Sequence, residues 1–165
     1  QPPPLCMTRH ELERTVDVFT IELLDMQRHH RVLFGPDVLK DLRIPLDLHR
    51  VQVEYELREK LVLLRQHVLL ASENDSRLWD LLQHSVSSLL TLFRHALIAL
   101  GQEAPANRRE AVQALGQRLN FDASVFLRVL DVREKKEQAK KFDARDLASR
   151  YMAAVEKVAA AVDAA

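Results

Sequence analysis

Cysteine is almost absent from this 165-residue chain: Cys6 stands alone, so no internal disulfide and no cysteine-built zinc site can form. A reducing, cytoplasmic setting is the natural expectation. Glycine is nearly as scarce, at three residues, which leaves little material for phosphate-cradling loops or tight hairpins and favours helix. Aromatic residues make up only 5%, and no basic run has aromatics interleaved as a stacking platform for bases. The 24 basic residues are balanced by 24 acidic ones, so no overall field draws in nucleic acid or an anionic membrane. No uninterrupted apolar run approaches the ~18 residues that a membrane span needs. The start, Gln1-Pro2-Pro3-Pro4, has neither the basic region nor the apolar core of a secretory signal, and it lacks Met, as expected of a processed or excised fragment.

What is present is apolar periodicity. Hydrophobic residues reach 47%, and the strongest signal runs from Pro45 to Leu100 as two long segments joined by Ser72-Glu73-Asn74-Asp75-Ser76. In the first, Val53, Leu57, Leu61, Leu64 and Val68 recur at spacings of three and four, with Glu54/Arg58 and Glu56/Lys60 as supporting pairs. In the second, Leu78, Leu81, Leu82, Ser85, Leu89, Leu92, Phe93, Ala96, Leu97 and Leu100 mark a buried face, Asn74 or Asp75 serves as N-cap, and Gly101 suits the C′ position. The expectation is a mainly α fold: a helical bundle over 45–165, built on a long antiparallel hairpin at about 46–100. Further helices open at a capping box, Asn107 to Glu110, then at Asp122 and at Asp143. Gly116 either weakens its helix or permits close packing.

The lead-in, residues 1–44, reads differently. Thr8-Arg9-His10-Glu11 has capping-box spacing and opens a short helix. Thr15 to Ile21 alternates polar and apolar side chains and is rich in β-branched residues, which predicts a strand. Arg31-Val32-Leu33-Phe34 predicts a second one, ending at Gly35-Pro36. Two strands are marginal alone, so a small α/β remnant wanting a partner sheet is expected here.

Polar constellations are sparse. His29-His30 tempts as a metal pair, yet adjacent helical residues point about 100° apart, which favours a solvated surface. His67 and His95 sit on opposite arms of the hairpin and meet only if the register allows. Arg77 and His84 have the spacing found in HEPN-type ribonucleases, also helical bundles, although Leu78 replaces the polar neighbour usual after the Arg. Arg50, Arg58 and Arg65 are interleaved with acids, as Arg133 to Lys141 are, and both read as solvated charge. There is no Walker loop, dinucleotide fingerprint, G-x-S-x-G or H-E-x-x-H.

Val16-Asp17-Val18-Phe19-Thr20-Ile21-Glu22, then Leu24-Asp25-Met26 and His29-His30-Arg31-Val32-Leu33-Phe34-Gly35, resemble a run in bacterial nucleotidyltransferase-like proteins of the kanamycin nucleotidyltransferase type. There the run lies where the catalytic domain hands over to a C-terminal helical domain. Glu54 to Leu61, Leu64-Arg65-Gln66 and Ser85 to Leu89 fit the same group. The resemblance implies a two-part protein whose catalytic half holds a Gly-Ser motif for nucleotide phosphates and paired carboxylates for Mg²⁺. Neither motif exists in this chain, and Thr20 replaces the family's proline. A third carboxylate, on a later strand of that fold, would match Asp17 first and Glu22 second; such an acid deprotonates the acceptor hydroxyl or helps hold metal. The competing reading of Asp17 is a solvent-side residue of an edge strand. By this resemblance the chain is a helical region serving acceptor binding or assembly, not catalytic alone. Mg²⁺ and a nucleoside triphosphate would belong to the parent protein, and the partners would be its catalytic domain or a second copy. The competing classes are a helical interaction or dimerisation module without enzymatic role, and a HEPN-type RNA-cleaving bundle.

Overall fold

The computed structural model describes residues 6–165. Seven α-helices occur among them: α1 (Arg9–Arg14), α2 (Thr20–Arg28), α3 (Leu46–Ala71), α4 (Asp75–Ala99), α5 (Arg108–Leu119), α6 (Ser124–Arg133) and α7 (Ala144–Asp163), with one 3₁₀ turn at Ala139–Lys141. The mainly α expectation holds. The chain divides into two compact units, Gln1–Gln52 and Val53–Ala165, and the division falls inside α3.

In the first unit the expected strands do not form. Thr15 closes α1, where its hydroxyl donates to the Glu11 carbonyl at 3.0 Å. The amides of Val18 and Phe19 then both donate to the Thr15 carbonyl at 3.0 Å, which makes a turn. Helix α2 starts at Thr20, inside the alternating stretch. The alternation loses because a strand needs a partner for its N–H and C=O groups, whereas these local bonds satisfy them at once. Arg31-Val32-Leu33-Phe34 has no regular structure, and the Phe34 side chain is 98% exposed. No strand occurs among the described residues, so the α/β remnant is corrected to an all-helical lead-in.

Leu12, Leu23 and Leu39 form the small core of this unit, flanked by Val16, Leu42 and Ile44. Polar clamps hold its loops. The Gln27 amide donates to the carbonyls of Leu39 (2.8 Å) and Leu42 (2.6 Å). The buried Thr20 hydroxyl donates to the Gln52 side-chain oxygen at 2.6 Å, and the Ile21 N–H donates to the same atom at 3.3 Å.

In the second unit α4 is the central element, packed against α5, α6 and α7. Leu78, Leu82, Val86, Leu89, Leu90, Phe93, Ala96 and Leu97 are buried along it. The caps follow the sequence signals. The Asn74 side chain accepts from the Arg77 amide at 3.1 Å. At the other end Gly101 takes φ +74°, its N–H donates to Ile98 and the Gln102 N–H donates to Leu97, each at 2.9 Å, which closes a Schellman motif. Asn107 and Asp143 cap α5 and α7. The Asp122 carboxylate accepts the Ser124 amide at 2.8 Å where α6 begins.

Phe93 meets Phe126 edge-on at 4.9 Å between ring centroids, and Phe126 lies 4.4 Å from Tyr151, so α4, α6 and α7 share one aromatic centre. Gly116 permits close packing: an added Cβ there would stand 3.0 Å from the Phe121 carbonyl oxygen and from the Ala123 Cβ. Exposed pairs, Arg58 with Asp163 and Arg65 with Glu156, both at 2.7 Å, tie the middle of α3 to α7.

Candidate functional site

Asp17 lies in the turn after α1 and Glu22 in the first turn of α2, both exposed. Neither has the strand context in which the resemblance places a third carboxylate. An acid at the start of a helix is favoured by the helix dipole whatever else it does. No group of three or more metal-ligating side chains occurs among the described residues.

His29 is exposed, and His30 turns to Asp37, with Nε2 3.0 Å from the carboxylate. The hydrogen bond to Asp37 is the main cause holding the His30 pKa above its ordinary value, and the same bond holds Asp37 below the usual carboxylate range. The Asp37 carboxylate also accepts the amides of Leu39 and Lys40, so this pair staples the loop that follows α2.

His95 is buried in the core face of α4, whereas His67 is exposed on α3; the register does not bring them together. His67 shares a pocket with His84 instead. Arg77 and His84 are both exposed, and the His84 ring donates from Nδ1 to the Asp80 carbonyl at 2.6 Å. Nothing in the geometry draws Arg77 toward His84.

The pocket shared by His67 and His84 has a volume of about 260 Å³ and is mainly apolar. From α3 it takes Lys60, Leu63, Leu64 and His67; from α4 it takes Leu81, His84, Ser85, Ser88 and Leu89. Small residues leave the room: Ser85 and Ser88 stand mid-helix where a larger side chain would fill the groove. Both hydroxyls are engaged with their own helix, Ser85 with the Leu82 carbonyl and Ser88 with the Ser85 carbonyl. Of the two expected i,i+4 pairs on α3, Glu54–Arg58 forms at 2.7 Å. Glu56 and Lys60 make no ion pair among the described residues, and Lys60 lines the pocket instead. The sequence reading missed this role. The Ser-rich interior of α4 was the available signal.

A second cleft, of about 540 Å³, opens where α5 begins. Arg108, Arg109, Arg133 and Lys136 line it, but most of that charge is consumed internally. Arg109 bonds Asp131 (2.8 Å) and Glu134 (2.9 Å), Lys136 bonds Glu134 (2.6 Å), and Arg133 donates to the Gln83 carbonyl and the Ser87 hydroxyl. Here the charge-dense connector is a structural brace.

The third feature is the outer side of α3. Tyr55, Val62 and Leu69 recur at seven-residue intervals and are 66%, 51% and 76% exposed. At 100° per residue they lie on roughly the opposite side of the helix from the buried Val53, Leu57, Leu61 and Leu64. Over the second unit, α3 is therefore apolar on two faces. No helix among the described residues is long and apolar enough to cross a membrane. No family model matches this chain, and no curated protein or solved structure does so either.

Proposed function

We propose that this chain is the helical assembly region of a nucleotidyltransferase-like protein, which does not catalyse alone and which joins a second copy through the outer face of α3. The observation that carries the reading is the repeat of exposed Tyr55, Val62 and Leu69 at intervals of seven. An exposed apolar stripe on a helix already buried on its other side marks a contact surface, because covering it removes apolar area from water. Residues seven apart lie on one side of a helix, so the three form a continuous stripe that a neighbouring helix can cover.

Arg58 and Arg65, beside the stripe, are already paired within the chain, with Glu54 and Asp163 and with Glu156, so the apolar stripe itself carries the contact. Assembly, and not acceptor binding, is the duty that this geometry favours.

The test is sedimentation equilibrium of the chain and of its Val62→Glu variant. At about 100 μM a dimer of micromolar affinity is essentially complete. A dimer that Val62→Glu and Leu69→Glu each convert to monomer, with helicity retained, supports the proposal. A monomer at that concentration, or a dimer indifferent to both changes, overturns it. The nucleotidyltransferase part of the reading is tested separately by thermal shift with Mg²⁺ and each nucleoside triphosphate. A ligand at a hundred times its Kd adds about 2.7 kcal/mol of stability. Stabilisation of a form that carries the catalytic domain, but not of this chain, is the expected result. No shift in either form sinks that assignment.

A further inference from the structure

The structure points to the α3–α4 pocket as a binding site for a small hydrophobic carboxylate, and we propose it as such. The site uses the opposite side of α3 from the assembly stripe and stands independently of that reading.

Three properties of the pocket define the ligand. First, its walls are the side chains of Leu63, Leu64, Leu81 and Leu89, so the bulk of an occupant must be apolar. Second, its volume of about 260 Å³ matches a single ring or a short branched chain. Third, the one formal charge at its edge is the Lys60 ammonium, which pairs with no carboxylate among the described residues, and no acid lines the pocket. An ammonium beside an apolar cavity with no acid of its own attracts an anionic head group, and the charge-assisted bond it makes is among the stronger ones. His67, exposed and also without a hydrogen-bond partner among the described residues, adds a ring nitrogen at the same edge. The His84 ring is fixed by its bond to the Asp80 carbonyl and acts as a wall.

A cation would meet Lys60 unfavourably, and a fully neutral apolar molecule would leave the ammonium with water alone. The hydroxyls of Ser85 and Ser88 already donate to carbonyls of their own helix, and Ser85 also meets the Tyr151 hydroxyl, so both shape the groove and supply no donor to the ligand. The specificity therefore falls on Lys60.

Benzoate and benzamide make a matched test, because they share shape and differ in charge. In a ¹⁵N-resolved NMR titration, benzoate is expected to shift the amides of residues 60–67 and 81–89 saturably. Benzamide is expected to bind about tenfold more weakly, the loss of one charge-assisted hydrogen bond. Lys60→Met should erase the difference between the two probes without moving the thermal midpoint, since Lys60 is only partly buried and makes no bond to lose. Ser88→Leu, which fills the groove from the α4 side, should abolish binding of both. Equal affinity for the two probes overturns the proposal, as does saturation at another part of the surface, or absence of saturation at millimolar benzoate in a folded chain. Loss of dimerisation in the α3 variants leaves this result unchanged, so the two proposals fail separately.

Discussion

The hydroxyls of Ser85 and Tyr151 lie 3.0 Å apart where α7 crosses α4, and the tyrosine is completely buried. Burial pushes the phenol pKa up, well beyond the range in which it could ionise, and the bond to Ser85 only partly offsets this. Tyr151 is thus a core aromatic with one satisfied polar atom, packed on Phe126. Tyr151→Phe keeps the ring and removes one hydrogen bond, while Ser85 retains its bond to the Leu82 carbonyl. The expected loss is about 1 kcal/mol. Tyr151→Ala opens a cavity and should cost about 3–5 kcal/mol. Urea unfolding of the two variants separates these values; equal losses would mean that the ring contributes little.

Gly116 offers a case in which propensity and packing disagree in sign. Alanine is favoured over glycine inside a helix by about 1 kcal/mol. Here, however, the new methyl would stand 3.0 Å from the Phe121 carbonyl oxygen, which is backbone and cannot swing aside. Gly116→Ala should therefore lower stability, by about 1–3 kcal/mol as overpacking does. A calorimetric midpoint at or above that of the parent chain would show that the α5–α6 turn yields.

His30 and Asp37 should give the first unit a pH window. The pair raises His30 above its ordinary 6.5, so its contribution is complete below that value and is lost as pH rises through the folded-state pKa. Asp37 is lowered from 3.8, so its contribution is present above that value and is lost as pH falls through the depressed one. Amide hydrogen exchange at Leu39 and Lys40, whose N–H groups bond Asp37, should be slowest between about pH 4 and 6.5, once the intrinsic pH dependence of exchange is divided out. Asp37→Asn should move the His30 NMR titration down toward the ordinary value. An unchanged His30 titration would exclude the pair in solution.

Asn74 sets the start of α4, the helix against which α5, α6 and α7 pack. Asn74→Ala removes the acceptor for the Arg77 amide and should cost about 1 kcal/mol, whereas Asn74→Asp should be nearly neutral. A loss of similar size in both variants would assign the effect to the α3–α4 turn and not to the cap.

Much of the second unit was legible in the sequence because its determinants are local or periodic. Leu78, Leu82, Leu89 and Phe93 repeat at helical spacing, Asn74 and Asp143 cap, and Gly101 closes α4, so each element follows from side chains a few residues apart. The reading failed where a period was short and the competing bonds were strong. Thr15 to Ile21 alternates like a strand, but Thr15 and the Thr20–Gln52 bond commit it to a turn and a helix.

Only tertiary structure decided the features on which the two proposals rest. Which faces of α3 are covered depends on what folds against it, so the outward stripe of Tyr55, Val62 and Leu69 could not be told from a second core face by its pattern. The groove of Lys60 and His67 exists because α3 and α4, joined by the short turn between them, bring residues distant in sequence side by side, small ones opposite large ones. Helix, cap and turn are written in neighbouring residues; pocket and interface are made by residues that become neighbours only after the chain has folded.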